Sequence, residues 1–195
     1  MSIKLNGRTI LLYLAYTYNN DWNKIFEHIK NKQNFNKEDA EKVMEENDFS
    51  HAITLVDEDY PESLKKIAQP PFVIYYKGEK QNLYKGNYIY LEGYTNSLYD
   101  CERFVTVDNE SVIHLGTDLE ITTDTKSIST IHTAVALCEK VLIGSNARSK
   151  QATLVVTCAL EWGLDVYAFP TEESSLNNNL IKEGANLVDC PEDLL

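Results

Sequence analysis

Residues 140–169 read KVLIGSNARSKQATLVVTCALEWGLDVYAF, a helical pattern held between two apolar runs. Val141-Leu142-Ile143 is continuously apolar, as in a short strand buried on both faces, and Gly144 ends it. Gln151 to Trp162 has the length and apolar spacing of a helix, closed by Gly163. Asp165 to Phe169 returns to a strand composition. A strand, a helix of that length and a second strand make a parallel βαβ unit, whose crossover is right-handed.

Working outward, the same alternation reaches back to Gly86. Tyr88 to Leu91, Phe104 to Val107 and Ser111 to Leu115 are candidate strands. Ser129 to Cys138 carries helical periodicity through Ile131, Ala134, Val135 and Cys138. Residues 86–195 are therefore expected to build an α/β domain on a twisted parallel sheet. Residues 51–85 read as a connecting segment. In it Ile53 to Val56 is extended, Tyr60-Pro61 opens a short helix through Ile67, Pro70-Pro71 stops it, and Phe72 to Tyr76 is β-rich. Residues 1–50 read as a small helical region. Ile10, Leu11, Leu14 and Ala15, then Trp22, Ile25, Phe26 and Ile29, follow the 3.6 period across an Asn19-Asn20 break. Asn36 is placed to cap a third helix, Lys37 to Glu46.

Composition bounds the function classes. The chain has 195 residues, 43% hydrophobic and 25% charged, enough for one core and a helical appendage. No run approaches the ~20 apolar residues of a bilayer span, and a cytoplasmic location is expected. Cys101, Cys138, Cys158 and Cys190 are scattered without metal or disulfide spacing, and so are the four histidines. The net charge of −12 is unevenly spread. Residues 86–195 hold 6 Lys/Arg against 17 Asp/Glu, a balance of −11, which repels phosphate polymers at long range.

Catalytic signatures are missing. Asp57-Glu58-Asp59 is a solvated turn by type, and Ser145 lacks the elbow that aims a nucleophile. There is no Walker A and no complete GxGxxG. A non-enzyme without a cofactor is expected. The chemistry that remains is anion binding at the carboxyl ends of the strands, where helix N-termini offer free amides. Ser145-Asn146-Ala147-Arg148-Ser149-Lys150 follows the 140–143 strand, and two of the six basic residues of the acidic half lie in it. Gly93, with Asn96 and Ser97 beyond it, follows the 88–91 strand, and Asn178 belongs to the same candidate set.

Two blocks carry a family resemblance. Tyr60-Pro61, Leu64, Ile67, Pro70-Pro71, Tyr75-Tyr76 and Lys77-Gly78 resemble the lead into the Rossmann-like domain of the DNA-processing protein A (DprA/Smf) family. Ala136 to Ile143, Ala159-Leu160-Glu161, Gly163, Val166-Tyr167-Ala168, Pro170, Asn178, Leu180-Ile181, Gly184-Ala185, Leu187-Val188 and Glu192 to Leu195 resemble the second half of that domain. The departures are as specific. The family's Gly-Ser-Arg loop keeps only Gly93, behind an acidic Glu92. Its Ser-Gly-Ser turn falls on Lys150-Gln151-Ala152, and its Arg-Asn-Arg element on Ser129-Thr130-Ile131. The resemblance implies a shortened, motif-degenerate member of the Rossmann-like SLOG superfamily. It implies single-stranded DNA and a RecA-type recombinase as partners, with DNA contacts centred on Arg148, Lys150 and Lys126. The other readings are a module for a nucleotide-type ligand, a protein-partner module, and a homodimer.

Overall fold

A computed structural model describes residues 5–93, 103–108, 112–123, 127–145, 147, 149–171 and 176–194. Three helices come first: α1 (Gly7–Thr17), α2 (Trp22–Lys30) and α3 (Lys37–Glu46). Asn6, Asp21 and Asn36 cap them, each side chain accepting a first-turn backbone N–H. Leu11, Leu14, Ala15, Ile25 and Ala40 bury a common apolar interior. Phe26 and Ile29, read as part of the packed face of α2, instead stay 40% and 42% exposed; His28 takes the inward place.

One sheet organises the rest. Its strands are β1 (Ala52–Thr54), β2 (Val73–Gly78), β3 (Ile89–Glu92), β4 (Phe104–Val107), β5 (Ile113–Leu115), β6 (Leu119–Thr123), β7 (Lys140–Ile143), β8 (Asp165–Ala168) and β9 (Asn186–Leu187). They lie in the order β1-β2-β6-β5-β4-β3-β7-β8-β9. The half from β4 to β9 is parallel, and α4 (Ser127–Ala136), α5 (Ser149–Trp162) and α6 (Leu176–Lys182) belong to it. The half from β1 to β4 is antiparallel.

The α/β class and the helical N-terminal region agree with the sequence, but the parallel sheet expected beyond Gly86 is mixed. The reason is loop length. Asp108 accepts the Val112 N–H on its carboxylate and donates its own N–H to the Val112 carbonyl, which reverses the chain within five residues. A parallel return needs a crossover of a dozen residues or more, so β5 turns back on β4 and β6 follows as a second hairpin. Residues 51–85, read as a connector, supply β1 and β2 to the same sheet. The helix expected through Ile67 is a single 3₁₀ turn, Leu64–Lys66.

The core sits where the sheet meets α4 and α5. Val141, Leu142 and Ile143 are fully buried, as are Ala134, Val135, Ala152, Val155, Cys158 and Ala159 from the two helices. Each buried aliphatic of Leu or Ile size contributes about 1.5–3 kcal/mol relative to exposure. The N-terminal helices close the antiparallel edge. Trp22 stacks on Phe72 with ring centroids 5.4 Å apart and donates its indole N–H to the Pro70 carbonyl at 2.9 Å. Arg8 pairs with Asp57 and donates to the Ala52 carbonyl at 3.0 Å. No described helix is long and apolar enough to cross a membrane.

Candidate functional site

β3 and β7 are parallel neighbours, with Glu92 opposite Ile143. From β3 the chain passes to β4 on one side, while β7, β8 and β9 extend the sheet on the other. The strand order thus reverses between β3 and β7, and a crevice of this kind, beyond the carboxyl ends, is where open α/β sheets bind ligands. The Gly144 N–H donates to the Glu92 carbonyl at 2.8 Å and carries the ladder one step past the strands. The chain then turns, with the Ala147 N–H on the Gly144 carbonyl at 3.3 Å, and enters α5 at Ser149. A helix of 14 residues directs its first-turn amides, which have no partner within the helix, and the positive end of its dipole at this rim.

Of the residues singled out from sequence, Gly93, Ser145 and Lys150 stand together here. Gly93 has φ +96°, a conformation a side chain would strain, and ends β3. Ser145 and Lys150 are exposed. Lys150 makes no ion pair among the described residues. Ser149 begins α5 by its backbone. Asn96, Ser97, Asn146, Arg148 and Lys126 lie outside the described residues, and so does the side chain of Ser149. Asn178 is held by the backbone of Thr171: its Oδ1 accepts the Thr171 N–H at 3.0 Å and its amide donates to the Thr171 carbonyl at 2.7 Å.

Two neighbours matter more to the shape of the rim than the sequence suggested. Asn177, 4% exposed, points its amide at three strand-end carbonyls, those of Ile143 (3.1 Å), Gly144 (3.1 Å) and Phe169 (3.0 Å). It satisfies backbone groups at the ends of both β7 and β8. An Asn177-Asn178-Asn179 run shows that a polar cap is present, but not which of the three turns inward. Glu92 is 6% exposed, and its carboxylate accepts from the Gln151 amide in the first turn of α5 at 2.9 Å. A negative charge is therefore built in beneath the anion-attracting end of the helix.

Beside it Tyr90 is fully buried and its hydroxyl is pushed far above its ordinary pKa, first by desolvation and then by the Glu92 charge. The Cys158 thiol is raised to about 11, chiefly by burial, and Cys138 is raised by burial as well. Both are protonated packing groups at neutral pH. No group of three or more His, Cys, Asp or Glu among the described residues is arranged to hold a metal ion. The rim offers backbone amides, a lysine and small side chains. Among the described residues, that set can hold an oxyanion.

Comparison with known proteins follows the same line. Residues 51–91 match the family model described as DNA recombination-mediator protein A. No curated protein matches the chain by sequence. Among solved structures, DNA processing protein A from Streptococcus pneumoniae superposes with a TM-score of 0.58 at 17% identity, covering 98% of this chain and 93% of that one. DNA processing protein A from Helicobacter pylori, solved for its single-stranded DNA binding mode, gives 0.56 at 13% identity over 73% of this chain and 93% of its own. The chain thus has the fold of DNA processing protein A and carries that family's sequence signature in residues 51–91.

Proposed function

We propose that the protein is a non-catalytic, single-stranded-DNA-binding accessory of recombination, similar in role to DNA processing protein A, and that the rim between β3 and β7 receives the phosphodiester backbone. The observation that carries this reading is the coincidence of the two matches. The family signature covers β1, β2 and most of β3, and the superposition spans nearly the whole chain. What supports it locally is that the N-terminus of α5, exposed Lys150 and Gly93 at the end of β3 belong to the same carboxyl rim. A RecA-type recombinase and a second copy of the chain are the protein partners that belong to the same proposal.

The acidic surface sets the expected strength. Residues 86–195 carry −11, so attraction is confined to the rim and few phosphates are neutralised. Each one contributes about −0.7 to the slope of log K against log salt for a single strand. Fluorescence anisotropy with a labelled oligothymidylate at low salt is the test. The expected result is saturable binding that weakens with salt along a shallow slope, with Lys150→Glu losing roughly tenfold or more in affinity. Absence of binding at micromolar protein, or an unchanged affinity in Lys150→Glu, contradicts the reading.

A further inference from the structure

The other end of the sheet holds a second feature that the rim does not use. A cavity of about 600 Å³ opens at the amino ends of β3, β4 and β7, within the range of small-ligand sites. Lys85, Asn87, Arg103, Asp118, Glu139 and Lys140 line it. The turn before β3 shapes one wall. Gly86 and Asn87 are successive residues at φ +66° and +57°, and both line the cavity; with its amide oxygen and nitrogen interchanged, Asn87 donates to the Glu139 carboxylate at 2.7 and 3.1 Å. The β5–β6 turn shapes another and is pinned by the Gly116 N–H on the Phe104 carbonyl at 2.8 Å.

The charges here are not evenly matched. Lys140 is engaged, donating to the Leu194 carbonyl at 2.6 Å and standing 5.5 Å over the Tyr167 ring. Lys85 and Arg103 are exposed and make no side-chain hydrogen bond or ion pair among the described residues. Two such cations thus line one concavity, and Arg103 is one of only 6 Lys/Arg in residues 86–195. Asn82 supplies an independent sign. It lines the same cavity at 2% exposure, and its side-chain oxygen has no hydrogen-bond partner. A buried acceptor left unmet costs stability that a donor would restore.

From this we infer that the amino-edge cavity binds a small polyhydroxylated phosphate monoester, a molecule of the sugar-phosphate class. Lys85 and Arg103 take the phosphate dianion, as a point charge and a fork respectively. The Glu139 and Asp118 carboxylates and the Asn82 side-chain oxygen accept from its hydroxyls. Inorganic phosphate fills only part of the volume and leaves the acceptors unmet. This site is independent of the DNA rim, which lies at the opposite ends of the same strands.

Thermal shift and calorimetry on the full chain test it with glucose 6-phosphate, ribose 5-phosphate, glucose and inorganic phosphate as probes. A sugar phosphate at ten times its Kd is expected to raise Tm by roughly 3–6 °C. Arg103→Ala and Lys85→Ala are each expected to lose tenfold or more in affinity. Glu139→Gln keeps phosphate binding but loses the preference for the sugar phosphate, and Lys150→Glu binds like the wild type. The inference is overturned by no shift with either sugar phosphate at 10 mM, by equal binding of inorganic phosphate, by full binding in Arg103→Ala, or by displacement of the sugar phosphate by oligothymidylate. The last outcome would place the cavity within the DNA path, whereas failure of DNA binding alone leaves this site standing.

Discussion

Glu92 is the residue at which this rim departs most from a phosphate cradle. Its carboxylate lies under the first turn of α5, held by Gln151, and occupies electrostatically the role a bound anion would fill. An incoming phosphate meets that charge through a partly buried, weakly screened path, at a cost on the order of 1 kcal/mol. Glu92→Gln keeps the shape and an acceptor for Gln151 while removing the charge. Its expected effect is a roughly fivefold tighter oligothymidylate Kd, read by anisotropy at fixed low salt. Unchanged or weaker binding would mean that the strand does not pass over α5. Little of this was legible in the sequence. The sequence marks Glu92 as an acid beside the degenerate Gly93 loop, but its burial and its bond to Gln151 are set by the three-dimensional placement of α5. Asn177 was hidden likewise, because nothing local separates it from Asn178 and Asn179.

At the scale of elements, legibility follows how local the stabilising contacts are. β7 and α5 were readable because Val141 and Ile143 and the Ala152, Val155, Ala159 stripe share one buried cluster, only a few residues apart in sequence, while Leu142 is buried on the other face. β6 was not readable. Leu119 and Ile121 alternate with exposed or half-exposed polar neighbours, and the strand is defined by β2, some forty residues upstream, as much as by β5. β9 has two residues and α6 has seven, both too short for a period to show. The joint between β2 and β6 depends on Gly78. It sits at φ +110°, and a Cβ there would lie 2.0 Å from the Asp118 carbonyl oxygen, a backbone atom that cannot step aside. Gly78→Ala is expected to destabilise the fold by about 2–4 kcal/mol, seen as a lower urea midpoint. A midpoint within error of the wild type would show that the β5–β6 turn shifts freely and that this joint does not hold β1 and β2 to the rest of the sheet.

The whole molecule combines an acidic envelope with two small basic features at opposite ends of the parallel strands. The first, at the carboxyl rim, combines a helix terminus with Lys150; the second, at the amino edge, has Lys85 and Arg103 around a cavity. Long-range steering of a polyanion by such a surface is weak, so binding depends on short-range geometry at the rim. The resemblance recovered the α/β class and the order of the later elements. It missed the antiparallel half, because the shortened middle section leaves no room for crossovers and folds as hairpins instead. Hydrogen exchange with and without oligothymidylate, followed by mass spectrometry, tests directly whether the rim holds the strand. The expected result is slowed exchange in peptides spanning residues 91–93 and 143–153, with peptides at the amino edge unchanged. Protection confined to the α1–α3 helices or to the cavity around Arg103, with none at 143–153, would contradict it.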